Sequence, residues 1–239
     1  MVKVAVIGVG YVGLVSGACF AEFGFQVTCV DKDADKIAAL ERGEIPIYEP
    51  GLENVVSKNR AAGRLNFTTD IAKAVPDADA VFIAVGTPSR RGDGHADLTY
   101  VYAAAEDIAK NLSGYTVIVT KSTVPVGTAA EVKKIIAATN PSADFDVCSN
   151  PEFLREGSAI EDFMRPDRVV IGSESERATN IMRALYRPLN LIDVPIALMD
   201  LPSAELTKYA ANAFLAMKIS FINQISDLCE ATNANVQDI

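Results

Sequence analysis

Three glycines in Gly8-Val9-Gly10-Tyr11-Val12-Gly13 stand at G-x-G-x-x-G spacing, directly after the apolar run Val2 to Ile7. Residues of that type and spacing present bare backbone amides to a diphosphate. The first glycine permits a tight turn, the second lets an anion approach the main chain, and the third lets helix and strand pack closely. A helix opening at the turn adds free N–H groups and the positive end of its dipole. Asp31 closes the next apolar run, Gln26 to Val30, 18 residues after Gly13. A carboxylate there accepts hydrogen bonds from a ribose diol and repels a 2′-phosphate, which predicts NAD rather than NADP, with Lys32 alongside as a counter-signal. The spacing alone also suits a packing turn without ligand; the coincidence of strand, turn, helix and acid is what favours a dinucleotide.

These residues need a scaffold, and the hydrophobic pattern supplies one. Val2 to Ile7, Gln26 to Val30, Ala80 to Val85, Thr116 to Thr120, Asp146 to Ser149 and Arg168 to Ile171 read as strands. Between them Val12 to Phe23, Ala34 to Arg42, Leu52 to Ala62, Leu98 to Leu112, Gly127 to Ala138 and Glu176 to Tyr186 read as helices. Strands that are apolar throughout and alternate with helices describe a parallel sheet covered on both faces, an α/β, doubly wound, Rossmann-like fold. The pattern changes near Asp200. Ser203 suits an N-cap, and no Gly or Pro interrupts the chain from Ala204 to Thr232, so one long helix is expected there. At about 1.5 Å per residue it exceeds 40 Å and reads as a spine leading elsewhere. The expected organisation is a dinucleotide domain over residues 1–200 and the start of a connecting helix over 201–239.

With 22 basic and 31 acidic residues and a formal net charge of -9, no broad nucleic-acid or anionic-membrane surface is expected. Four widely spaced cysteines (Cys19, Cys29, Cys148, Cys229) and a single histidine, His95, predict no metal site, and a reduced, cytoplasmic setting with buried thiols. His95 lies in a polar loop and reads as solvated. The uncharged stretch from Val4 to Ala21 superficially resembles a targeting segment, but its four glycines suit a folded turn better.

Further along the chain stand IPIYEPGL from Ile45, VGTPS from Val85, KSTVPVGT from Lys121, NPEFLREGSAI from Asn150 and ELTKYAANAFLAMKISFIN from Glu205. Together with the opening GVGYVGLVSGACFAEFG, they make the sequence resemble the N-terminal part of the UDP-glucose/GDP-mannose dehydrogenase family over almost its whole length. The resemblance implies NAD-dependent oxidation of a UDP-sugar primary alcohol to the uronic acid, UDP-glucose to UDP-glucuronate, by two hydride transfers. GDP-mannose or a UDP-N-acetyl sugar is the alternative substrate, and a non-catalytic NAD-sensing module the alternative class. It further implies a homodimer through the central helix. The family's nucleophilic cysteine, in a Cys-Phe-Pro-Lys-Asp segment, and its UDP-binding domain lie beyond that helix and have no counterpart here. This chain alone is therefore expected to bind NAD and to lack the complete reaction.

By motif, the resemblance makes Tyr11, Val12, Asp31, Lys36, Thr87 and Thr123 cofactor contacts beside Gly8, Gly10 and Gly13. It makes Glu152, Phe153, Leu154, Arg155 and Glu156 a substrate-contacting segment, with Glu156 facing both cofactor and sugar. It makes Lys208 and Asn212 catalytic, alongside Thr123 and Glu156. The chemistry is compatible with these roles. Lys208 and Asn212 at i and i+4 share a helix face, where an ammonium and an amide can donate to a developing oxyanion; a solvated helical lysine is the ordinary alternative. A carboxylate such as Glu156 at the carboxyl edge of a parallel sheet can take a proton or activate water, and Phe153 and Leu154 would give it an apolar setting; an exposed helix-start acid is the alternative. The Thr123 and Thr87 hydroxyls suit a water or an amide, or a bond to their own turns. Cys148, near Glu152, reads as a buried strand cysteine.

Overall fold

In the computed structural model, which describes residues 2–239, the first apolar run forms β1 (Lys3–Ile7), and its side chains alternate between two cores. Val4 and Val6 join one buried cluster, Ala5 and Ile7 the other, the period of two expected of a strand buried on both faces. The chain continues through α1 (Tyr11–Glu22), β2 (Gln26–Val30), α2 (Ala34–Arg42), α3 (Leu52–Ala61), β3 (Leu65–Thr68) and β4 (Ala80–Ile83). Next come α4 (Thr99–Ala109), β5 (Tyr115–Thr120), α5 (Thr128–Thr139), β6 (Asp144–Ser149) and α6 (Ala159–Met164). β7 (Val169–Ser173), α7 (Glu176–Tyr186), β8 (Ile196–Met199) and α8 (Leu201–Thr232) complete it.

The eight strands form one sheet in the order β3-β2-β1-β4-β5-β6-β7-β8. The order reverses between β1 and β4, and in open α/β sheets the crevice at the carboxyl ends of such a pair is where ligands bind. The fold is thus doubly wound and Rossmann-like, with three departures from expectation. β7 runs antiparallel to β6, through the pairs Cys148↔Ser173 and Ser149↔Gly172, so the sheet is not wholly parallel. β3 and β8 were not expected: both are four-residue edge strands with one neighbour each, β3 (Leu-Asn-Phe-Thr) alternating buried with more exposed positions and β8 (Ile-Ala-Leu-Met) apolar throughout but nowhere fully buried. The short α6 was hidden in the polar stretch after Glu156.

α8 also begins earlier than its pattern suggests. Asp200, not Ser203, is the N-cap; its carboxylate accepts from the Ser203 amide at 2.7 Å, with Pro202 in the first turn, where its missing N–H costs nothing. This first turn sits hard against β7. A Cβ on Gly172 would lie 2.5 Å from the Ala204 Cβ and 2.9 Å from the Asp200 carbonyl, so a side chain there would push α8 off the sheet. That docking fixes the position of every residue on the next two turns. Among the described residues no helix is long and apolar enough to cross a membrane, and the uncharged Val4–Ala21 stretch is β1, its turn and α1. All four cysteines are buried free thiols.

Candidate active site

The Gly8 turn leaves β1 at the switch point. Gly8 has φ +97°, a conformation that favours glycine, and its amide donates to the Val30 carbonyl at 2.8 Å, tying the turn to the end of β2. α1 starts at once, with Gly10 as N-cap and no side-chain cap, so its first amides face outward without a side-chain acceptor. A Cβ on Gly10 would meet nothing within 4 Å, whereas one on Gly13 would stand 1.9 Å from the Gly8 carbonyl oxygen. Gly13 therefore closes the turn on itself. The tightest approach of helix to strand falls one turn later, at Gly17, whose Cβ would lie 2.5 Å from the Cys29 sulfur.

Asp31 is built into the same turn. Its carboxylate accepts from the Val9 amide at 2.7 Å, the Asp33 amide at 3.0 Å and the Lys36 ammonium at 3.1 Å. Burial pushes this carboxyl up, but the two amides and Lys36 outweigh it and hold the group below the usual carboxylate range. Lys36, expected as a cofactor contact, is thus first an ion-pair partner of Asp31. Lys32, the counter-signal for NADP, bridges to Asp107 at 3.1 Å instead of standing free. Glycines, free amides and an anionic acid form a coherent cradle for the diphosphate and ribose of a dinucleotide. The loops after β4 and β5 flank it, and the Thr87 hydroxyl donates to the Thr123 carbonyl at 2.9 Å, locking the two together.

A second space opens on the β6 side. It is a cavity of about 770 Å³ walled by Glu152, Phe153, Leu154, Arg155, Lys208 and Asn212 among others, so six of the seven residues expected at the substrate converge on it. Lys208 and Glu152 form a buried ion pair at 3.0 Å, with side-chain exposures of 8% and 11%. The other Glu152 oxygen accepts from the Leu154 amide at 2.6 Å, and the Lys208 nitrogen sits 5.3 Å from the Phe153 ring centroid. Arg155 is clamped by Asp162, Nη to carboxylate at 2.6 Å. Glu156 does not join this group: it is exposed and is not part of the cavity wall, so the apolar setting expected from Phe153 and Leu154 is missing. Thr123 sits apart from that cavity too, in a small gap shared with Glu205 and Lys208. Cys148 is fully buried in β6, where burial pushes its thiol up to about 11, as suits a structural thiol.

The family model described as UDP-glucose/GDP-mannose dehydrogenase family, NAD binding domain, matches residues 2–190, and that of the family's central domain matches 202–239. The chain belongs to the UDP-glucose/GDP-mannose dehydrogenase family. A UDP-glucose 6-dehydrogenase of Rhizobium meliloti is 64% identical over 99% of this chain and 55% of its own. Among solved structures, a UDP-glucose dehydrogenase of Pyrobaculum islandicum aligns with TM-score 0.92 at 42% identity, covering 99% of this chain and 55% of that one. A ternary complex of GDP-mannose dehydrogenase from Pseudomonas aeruginosa aligns with TM-score 0.94 at 36% identity and the same coverage. The chain spans about half the length of the curated relatives it matches.

Within this family member, three buried ionic groups at the site went unassigned in sequence, although each lies in a stretch quoted for the resemblance. Lys121 directly follows β5 and lines the large cavity, its ammonium donating to the Asn150 side-chain oxygen at 3.0 Å and the Tyr186 hydroxyl at 3.3 Å. The rings of Phe163 and Tyr186 lie 5.7 and 5.9 Å from it. Burial pushes this lysine down to about 8, with Glu152 pulling the other way. Glu49 takes the Tyr11 hydroxyl and the Gly157 and Ala159 amides, the last two at 2.8 Å, so Tyr11 braces the start of α6 rather than standing free toward a cofactor. Glu205 accepts from the Gly127 and Ala129 amides at 2.6 and 2.7 Å. The available signal was a lone charge beside an apolar run, as in Thr-Val-Ile-Val-Thr-Lys121, or an acid at i−3 to a proposed catalytic lysine, as with Glu205.

Proposed function

We propose that this chain supplies the NAD site and part of the catalytic site of an enzyme that oxidises the primary alcohol of UDP-glucose to UDP-glucuronate. The observation that carries this reading is the buried Lys208–Glu152 pair lining one cavity with Asn212, beside a dinucleotide cradle at the switch point. Relatives 50–64% identical and named UDP-glucose 6-dehydrogenase support this substrate over GDP-mannose or a UDP-N-acetyl sugar. NAD, bound in the cradle, supplies the acceptor for the hydride leaving the alcohol carbon, twice per product.

The amides from Gly10 onward and the α1 dipole hold the diphosphate, and Asp31 grips the ribose diol. Lys208, kept in place by Glu152, and Asn212 one turn on donate hydrogen bonds to the oxygen on the sugar carbon as negative charge develops there. Glu156, on a solvent-facing loop at the edge of the site, is the acceptor of the alcohol proton as the hydride leaves. Thr123 orients a water or the nicotinamide amide. Residues 1–200 form the cofactor unit, and α8 from 201 begins the connecting helix. Exposed Phe214, Ile219 and Phe221 on α8 support its use as a homodimer interface. The setting is cytoplasmic, and no nucleic acid or membrane takes part.

The test is NADH formation by the complete enzyme with UDP-glucose, set against GDP-mannose and a UDP-N-acetyl sugar. Glu156→Gln lowers kcat about 10²–10⁴-fold, the usual worth of a positioned acid or base, with NAD affinity unchanged within about twofold. A wild-type rate in that variant removes Glu156 from the mechanism. In a direct NAD titration of this chain, Asp31→Ala raises Kd about 10–100-fold, since one charge-assisted hydrogen bond is worth about 1.5–3 kcal/mol. An unchanged Kd refutes the ribose contact.

A further inference from the structure

Glu205 is an acid placed where an ordinary helix cap would not be. The residue is 3% exposed and forms no ion pair among the described residues; Lys208, on the next turn of the same helix, is engaged by Glu152 instead. Both carboxylate oxygens of Glu205 are spent on the start of α5, one on the Gly127 amide at 2.6 Å and the other on Ala129 at 2.7 Å. The local N-cap, Gly127, offers no side chain, so the cap of α5 comes from a helix more than 70 residues away in sequence. The strand-to-helix loop ending at that cap is Lys121 to Gly127, which carries Thr123. The Thr123 carbonyl in turn receives the Thr87 hydroxyl. Thr123, Glu205 and Lys208 all border one small gap of about 10 Å³ between the loop and α8.

We propose that Glu205 is a positioning residue: by tying the first turn of α8 to the Thr123 loop, it sets the spacing between the cofactor-side hydroxyl of Thr123 and the substrate-side ammonium of Lys208. It touches neither ligand. Gly127 lies at φ +96°, where a capping Ser or Asp would be strained, so the cap of α5 has to come from outside the loop, and drawing it from α8 couples two walls of the site. Glu205 has this role only in a protein that performs the oxidation proposed above, so the test uses one readout that needs turnover and one that does not.

The variants are Glu205→Gln, which keeps length but turns an NH₂ toward one of the two amides, and Glu205→Asp, which keeps charge but reaches only one. In the complete enzyme, Glu205→Gln lowers kcat per NAD-binding site about 10–100-fold, the cost of a misplacement near 1 Å, while KM for UDP-glucose and Kd for NAD stay within about threefold. In amide NMR spectra of this chain, the same variant shifts Gly127 and Ala129 and also moves Thr123 and Lys208. If shifts stop within the first turn of α5 and kcat per site stays within twofold of wild type, Glu205 is a structural cap and the proposal falls. If wild type fails to oxidise UDP-glucose yet the shifts reach Thr123 and Lys208, the functional reading fails and the coupling stands. Should Glu205→Gln not fold, Glu205→Asp carries the same comparison, with a smaller loss of kcat expected and a wild-type value overturning the idea.

Discussion

Replacing Lys208 with methionine lowers kcat of the complete enzyme about 10²–10³-fold, the usual consequence of removing one preorganised donor from a developing oxyanion. Methionine fills most of the lysine's volume, so the change removes charge and hydrogen bonding rather than bulk. It also leaves Glu152 with a carboxylate that is 11% exposed and has lost its cation, and removing one partner of a buried pair destabilises by about 3–5 kcal/mol. The two effects are separable. Adding Glu152→Gln to Lys208→Met removes the stranded charge while an amide oxygen can still accept from the Leu154 amide, so the thermal midpoint recovers and turnover does not. Circular dichroism melts and NADH formation read the two quantities independently. If the double variant regains turnover together with stability, Lys208 was holding the fold of the 150–155 segment and donates nothing to substrate.

How far the sequence could be read follows from how local each determinant was. The Gly8 turn and Asp31 were legible because each signal is a short-range one: a residue type at fixed spacing from a strand end. The core strands β1, β2, β4 and β5 were legible for the same reason, since burial on both faces leaves an uninterrupted apolar run. Edge strand β3, Leu-Asn-Phe-Thr, carries no such run, and in β8 the apolar run is only the four residues Ile196–Met199. The antiparallel β7 could not be told from a parallel one, because strand direction depends on the path of the connection and not on composition. At the site, Lys208 and Asn212 were proposed from the family resemblance, and their shared helix face was legible because i and i+4 is a local geometry. The apolar setting expected for Glu156 was not met, because it depends on how the loop turns out of the sheet after Asn150. Lys121, Glu49 and Glu205 escaped because their partners are distant in sequence: Tyr186 is 65 residues from Lys121, and Ala129 is 76 from Glu205.

Gly13→Ala abolishes useful NAD binding, raising Kd at least about 100-fold, and lowers the thermal midpoint as well. The added methyl would stand 1.9 Å from the Gly8 carbonyl oxygen and 3.3 Å from the Ala84 Cβ. Gly8 is held in place by its amide's hydrogen bond to the Val30 carbonyl at 2.8 Å. Relief therefore comes from α1 moving off the turn by more than about 1 Å, which carries the amides of Gly10 to Val12 away from the diphosphate they face. Overpacking of this kind costs about 1–3 kcal/mol, or about 2–12 °C in Tm for a domain of this size. Gly10→Ala provides the control, because a methyl at that position meets no protein atom within 4 Å. It leaves Tm unchanged within about 1 °C and still weakens NAD, since the methyl projects into the space where the diphosphate meets the backbone. Both variants are read by NAD titration and by thermal melts of the same samples. Wild-type affinity in Gly10→Ala would mean that the diphosphate does not approach this turn at all, and the cradle would have to be sought elsewhere along the carboxyl edge of the sheet.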